Sequence, residues 1–469
     1  MSTREYDSTG ARLDGLPMTK RHYGIFSLLA GGGFFDGFDI YIAGSVLASM
    51  VATHFSTVGK NASFVSATFL GLLLGTLAVA AIADRVGRRF SARYALLLYG
   101  IATILCAVMP SFGGLLVMRF FAGLGLGGVI VTSYGLWVEF VPKRSRGFWA
   151  GAMSFIINLS QPISALLALL LVPHYGWRSL FWVAGVPAVI MWALQALYLP
   201  ESPRWLETRG KRDEAKKVMA QFEKYVSNNG TAARGSVQPK ESVLPVSKLK
   251  QVNQSSLWEP GVRKATILAI IISVLTIVTW YTFTAWIPTF FVKNGLSEVK
   301  TFTFTFVIML GAIPGNALAA ILSDRLGRKN TLTVLSVLLG VISLLYGYSR
   351  SPGLIMTFGF LFVMCGNILI AMTIASYIPE MFPTNVRMAG SSLANAFGRA
   401  ATIASPYLIV FLYGKGGQNL VFWSSFVMYV VLAACILFLG RETKKKSLEE
   451  IAYEELSQVP PSVSQGIQS

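Results

Sequence analysis

Charge is scarce in this sequence. Of its 469 residues only 13% are Asp, Glu, Lys or Arg, while 54% are hydrophobic. A soluble domain carries about 25% charged residues, so an ordinary water-soluble enzyme is excluded at the outset. Cysteine and histidine are rare too, three of each. Cys106, Cys365 and Cys435 sit singly in apolar runs and read as small buried hydrophobes. His22, His54 and His174 lie near loops. No metal-ligand spacing, nucleophile elbow or phosphate loop occurs. Neither enzyme chemistry nor a cofactor or metal is expected. The first 20 residues are polar and hold no short apolar core, so no cleavable leader is expected.

What the chain has instead is apolar length. Twelve stretches can cross a bilayer as helices: about 24–50, 64–83, 92–109, 114–138, 150–172, 180–198, 265–292, 302–322, 331–348, 354–378, 389–413 and 420–439. Twelve spans put both termini on one side. With that side inside, the internal segments hold 32 Lys and Arg and the external loops hold 6. The asymmetry predicts cytoplasmic termini. It also accounts for the net charge of +18 without a nucleic-acid partner.

The expected organisation is a cytoplasmic tail over 1–23, a six-helix bundle over 24–200, a cytoplasmic linker over 201–264, a second six-helix bundle over 265–440 and a tail over 441–469. Within the linker, Glu207 to Val226 is charged enough for a surface helix. The halves repeat. D-R-V-G-R-R from Asp84 returns 240 residues later as D-R-L-G-R-K from Asp324. Glu139-Phe-Val-Pro returns 241 residues later as Glu380-Met-Phe-Pro. Two motifs at nearly one offset point to a duplicated six-helix unit, as in many carriers.

Only four formal charges fall deep inside the spans: Asp36, Asp39, Arg119 and Arg399. A charge at a bilayer centre costs about 2.5–3.5 kcal/mol on insertion scales, so such residues are functional candidates. Asp36 and Asp39 share a helix face. Counted from opposite helix ends, Asp39 and Arg119 reach nearly the same depth, roughly 8–9 Å below the outer edge of the core. They are expected to meet. An arginine favours the ionised carboxylate and low dielectric the neutral one, so a balanced site can exchange a proton. A permanent structural ion pair is the alternative. Asp36 either shares a proton with Asp39, contacts substrate or bonds its neighbours. Arg399 lies near the midplane, where a guanidinium offers a fork of hydrogen bonds to an anion; the alternative is helix packing. Trp280 and Tyr281 are candidate cavity walls for a flat ring. Asn158, Gln161, Asn367 and Asn395 are either ligand contacts or interhelical glue.

These features closely resemble the major facilitator superfamily. D-R-x-G-R-[RK] is its most specific mark, although Ala80 and Ala320 stand where the family usually has glycine. R-F-F-A-G-L-G-L-G from Arg119 is similar to the family's fourth-span motif, and Pro200-Glu-Ser-Pro-Arg and Glu442-Thr-Lys look like sugar-porter signatures. D-G-F-D from Asp36 resembles aromatic-acid/proton symporters and nicotinate-type carriers. The seventh span has no glutamine, unlike true sugar porters.

The resemblance implies an all-α membrane protein of twelve transmembrane helices in two bundles. It implies a secondary transporter working by alternating access in a bacterial inner membrane. Its partners are a small-molecule substrate, protons and the bilayer, and it is expected to act as a monomer. Proton coupling falls to Asp36, Asp39 and Arg119. By the same resemblance Arg399 marks an anion carrier, and an aromatic or pyridine monocarboxylate is the expected substrate. Phosphate, a sugar, another polar metabolite, or export of a drug or metabolite are the alternatives. Asp84, Arg85, Arg88, Glu139 and Arg146, with Asp324, Arg325, Arg328, Glu380 and Arg387, are expected to bridge the loops as a cytoplasmic gate.

Overall fold

A computed structural model describes residues 9–227, 257–325, 327–383, 386–440 and 442. The side chains of Asp324 and Arg325 lie outside the described set, as do residues 228–256 of the linker and nearly all of the C-terminal tail. The chain divides into two compact units, Met1–Glu241 and Ser242–Ser469. Among the described residues all regular structure is helical.

The first unit holds α1 (Thr9–Gly15), α2 (Lys20–Ala52), α3 (Val58–Val86), α4 (Arg88–Val108), α5 (Phe112–Phe140), α6 (Arg146–Tyr175), α7 (Arg178–Tyr198), α8 (Pro203–Thr208) and α9 (Arg212–Ser227). Six of these, α2 to α7, are long and apolar enough to cross a membrane. Local chemistry sets their ends. Thr57 and Ser111 each accept a backbone N–H of the first turn, at Lys60 and Gly114 (both 3.2 Å), and so start α3 and α5. Gly87 takes φ +134° between α3 and α4, a conformation that side chains resist.

The expected helix over 207–226 is two helices, α8 and α9, separated at Gly210 with φ +74°. Ala215, Met219 and Phe222 of α9 are buried, the last two in a cluster with Leu13, Phe26, Trp137 and Phe140. The short α1 is tied to the same end. Leu13 is wholly buried, and Asp14 accepts from Arg204 at 2.8 Å and Arg146 at 3.2 Å.

The second unit holds α10 (Pro260–Lys293), α11 (Glu298–Met309), α12 (Ala312–Arg325), α13 (Arg328–Tyr348), α14 (Pro352–Met372), α15 (Ile378–Glu380) and α16 (Arg387–Ala434). π-Helical turns at Thr373–Tyr377 and Cys435–Leu439 extend α14 and α16. The eighth span is interrupted between α11 and α12. Pro314 explains the break: its ring excludes the carbonyl four residues earlier, at Leu310. The last run, Arg387–Leu439, is broken at Gly416 and Gly417, so it supplies two apolar segments. With those two counted separately, twelve apolar segments are present among the described residues, near the expected positions.

Candidate functional site

The packing of α3 on α5 builds the first half of the site. Glycines interlock the two helices. A Cβ on Gly71 or Gly75 would strike the carbonyls of Phe120 or Leu124, and one on Gly123 or Gly127 would strike those of Thr68 or Leu72. Backbones this close bring Thr68 of α3 against Arg119 of α5. On the other side α2 meets α6 and α7 through its own small residues: Gly33 rests on Ile157, and Gly31 on Met191. That contact sets Asp36 and Asp39 inside the bundle.

Arg119 grips Asp39 with both arms of its fork. Nη1 donates to Oδ1 at 3.0 Å and Nη2 pairs with Oδ2 at 2.8 Å. Nε donates to Thr68 Oγ1 at 3.1 Å, and Thr68 in turn donates to the Phe64 carbonyl. The rings of Phe64 and Phe181 lie 4.9 and 5.7 Å from the guanidinium carbon. Asp39 is 0% and Arg119 1% exposed. A buried pair survives only with such geometry, because desolvation is costly. Asp36 is 2% exposed on the same helix, and both acids interact electrostatically with Tyr99, whose hydroxyl donates to the Phe35 carbonyl at 2.9 Å. The pair expected from depth alone does meet. Thr68 and Cys106, which neighbours Arg119, carried no sequence signal, since each sits unmarked in an apolar run.

Gln161 and Asn158 are bonded to each other, Gln161 Nε2 donating to Asn158 Oδ1 at 3.0 Å. Asn158 also donates to the Ser154 carbonyl.

In the second unit Arg399 stands half-buried on α16. Among the described residues its guanidinium has no hydrogen-bond or ion-pair partner; only its backbone carbonyl is engaged, by Thr402 at 2.6 Å. Asn367 accepts from Asn316 at 3.3 Å and donates to the Val363 carbonyl at 2.8 Å. Asn316 was absent from the sequence-based candidates. Asn395 donates to the Ser391 carbonyl. Trp280 is buried against Gly366 of α14, with Cζ3 only 2.5 Å from where a Cβ would stand. Tyr281 is half-buried. Phe283 stacks on Phe362 at 3.6 Å within an aromatic core that includes Tyr346 and Phe422.

The loop motifs form a repeated construction. In the first unit Arg88 pairs with Asp84 at 2.8 Å and Glu139 at 3.1 Å. In the second Arg328 pairs with Glu380 at 2.7 Å. Each has a further carboxylate, which stands in the sequence motifs above without a role. Glu201 accepts the backbone N–H groups of Arg88 and Arg89, and Glu442 accepts that of Arg328 at 2.9 Å. The signal was available, because Glu442 follows Glu201 by 241 positions, the spacing of Glu380 after Glu139. Arg146 departs from expectation: its ion pair is with Asp14 rather than within the Asp84 loop, because α1 occupies that end. Arg85 is exposed, and Arg387 opens α16.

Residues 26–454 match the family described as sugar (and other) transporter. The chain belongs to that family. This transporter is 32% identical over 450 residues to the inner membrane metabolite transport protein YdjE of Escherichia coli, covering 96% of the chain and 99% of YdjE. It is 30% identical over 442 residues to the niacin transporter NiaP of Acinetobacter baylyi, covering 94% and 99%. Its fold matches the crystal structure of a D-xylose-proton symporter with a TM-score of 0.71, at 18% identity, over 91% of this chain and 99% of that one. It is therefore a multi-pass membrane transporter of the major facilitator type and not an enzyme.

Proposed function

We propose that this transporter imports a small aromatic or pyridine monocarboxylate together with protons. The observation that carries the reading is Arg399. A guanidinium inside an apolar helix, without a hydrogen-bond or ion-pair partner among the described residues, is suited to a carboxylate, which it can bind through two parallel hydrogen bonds. The similarity to a niacin transporter points to the same substrate class. Tyr281, half-buried on α10, is the aromatic side chain best placed by exposure to meet a ring, with Trp280 behind it.

Asp39 carries the proton in this reading. Protonation frees Arg119 from one half of a buried ion pair, and deprotonation restores it. Asp36, one turn away, either shares that proton or contacts substrate. The Arg88 and Arg328 bridges act as the gate on the cytoplasmic side. Both termini face the cytoplasm of a bacterium in this reading, which the distribution of Lys and Arg supports. One proton with one monoanion moves no net charge, so the pH gradient alone drives uptake.

Reconstituted vesicles test the proposal. Nicotinate and benzoate should accumulate only under an imposed inward proton gradient. Phosphate and hexoses should not compete. Uptake indifferent to the gradient refutes coupling, and competition by hexose refutes the substrate class.

A further inference from the structure

The first unit has a second cluster of cations, remote from Asp39. A cavity of about 270 Å³ lies where the ends of α2, α4 and α7 meet α9. Arg21, Arg89, Tyr198 and Gln221 line it. Arg21 donates to the Tyr198 carbonyl and to Gln221, and Arg89 to the Ala196 carbonyl. Arg93, one turn along α4, donates to the carbonyls of Gln195 and Leu199. These bonds cap the end of α7, as cations do, and the carboxylates of Glu201 and Glu214 share the lining with the guanidinium groups. None of the three arginines is ion-paired within 4 Å among the described residues. The Nε–H groups of Arg21 and Arg89 are shielded from water and have no acceptor.

The lining acids are engaged elsewhere. One oxygen of Glu201 holds the N–H groups of Arg88, Arg89 and Ser202, and Glu214 pairs with Lys211 at 3.6 Å. Among the described residues no hydrogen bond engages Nη1 of Arg21 or of Arg89, and these are the N–H groups left for an incoming anion. Its lower wall says which kind. Leu197 and Tyr198 also line it, and they are 71% and 57% exposed at the end of a membrane-crossing helix. A ligand seated here has cations at one end and a lipid-facing apolar surface at the other.

We propose that the cavity binds the phosphate of an anionic phospholipid, with its acyl chains lying along Leu197 and Tyr198. Basic pockets between helices at the headgroup level are suited to this ligand. The bound lipid would fasten α9 to α2 and α4 through a group that belongs to the bilayer rather than to the chain.

The test uses the purified, delipidated full chain in detergent. Native mass spectrometry compares phosphatidylglycerol, diacylglycerol with the same acyl chains, and inorganic phosphate. Phosphatidylglycerol should be retained and diacylglycerol lost. Arg21→Gln and Arg89→Gln should each lower the retained fraction about five-fold. Arg178→Gln, at the opposite end of α7, should leave it unchanged. Because Arg89→Gln also removes a helix cap, thermal unfolding of the unaltered chain gives an independent reading. Phosphatidylglycerol should raise the midpoint and diacylglycerol should not. Equal effects of the two lipids, or full retention by both arginine variants, overturns the site. Displacement of the lipid by millimolar inorganic phosphate overturns the assignment to phospholipid.

Discussion

Asp39, Arg119 and Arg399 divide the chemistry unequally. Arg119→Ala would strand a buried carboxylate, at a cost of about 3–5 kcal/mol. Both accumulation and the thermal midpoint should fall. Asp39→Asn keeps the shape of the site and removes the proposed proton carrier. It should lose pH-driven accumulation, measured as uptake against external pH, yet retain exchange of labelled for unlabelled substrate. A profile in Asp39→Asn that still rises with acidity would remove Asp39 from the coupling step. Arg399→Gln separates binding from stability. Its guanidinium makes no hydrogen bond or ion pair within the described residues, so the melting midpoint should hold, while KM for nicotinate should rise about ten-fold or more, the worth of a charge-assisted hydrogen bond. The Asp39–Arg119 pair was legible in the sequence because charge is rare there and depth can be counted. Thr68 was not, because a hydroxyl inside a span has many uses and spacing does not choose among them.

At the scale of the helix, α3 and α5 are held by backbone contact at four glycines. Gly71→Ala would drive a methyl into the Phe120 carbonyl, and backbone does not yield as a side chain does. Overpacking of this kind costs about 1–3 kcal/mol. Gly113→Ala, with nothing within 4 Å of the added carbon, should leave the thermal midpoint unchanged. Equal stability of the two variants would contradict the interlock. Helix existence and order were readable from apolar length alone. The interruption at Leu310 was not, although Pro314 announces it in retrospect, because many transmembrane helices carry a proline without breaking. Here the helix runs on without a break through Pro162, Pro187, Pro288 and Pro406. The outcome depends on whether neighbours satisfy the freed carbonyl, and that is tertiary information.

For the molecule as a whole, orientation is the property most open to a direct check. A cysteine placed at Gly113 should react with a membrane-impermeant thiol reagent in intact cells. One placed at Lys211 should react only after permeabilisation. The reverse pattern would invert the topology. Of the native cysteines Cys106 and Cys365 are buried and Cys435 is half-buried, so the labelling is done on a Cys435→Ser background. The internal duplication was visible as repeated loop motifs, and the structure adds a matching third carboxylate to each copy, Glu201 and Glu442. Their spacing marks them as part of the repeat, but not their role, because a carboxylate that caps backbone N–H groups needs no basic residue at a fixed distance.

The four glycines that lock α3 to α5 also restrict how the first unit can move. Two rods notched into each other at successive turns have no slip plane. Whatever rearrangement carries a solute across, this couple must travel as one plank, hinged at its margins and never shearing along its length. A pair of spin labels on the two helices should therefore report one unchanging separation through every stage of turnover.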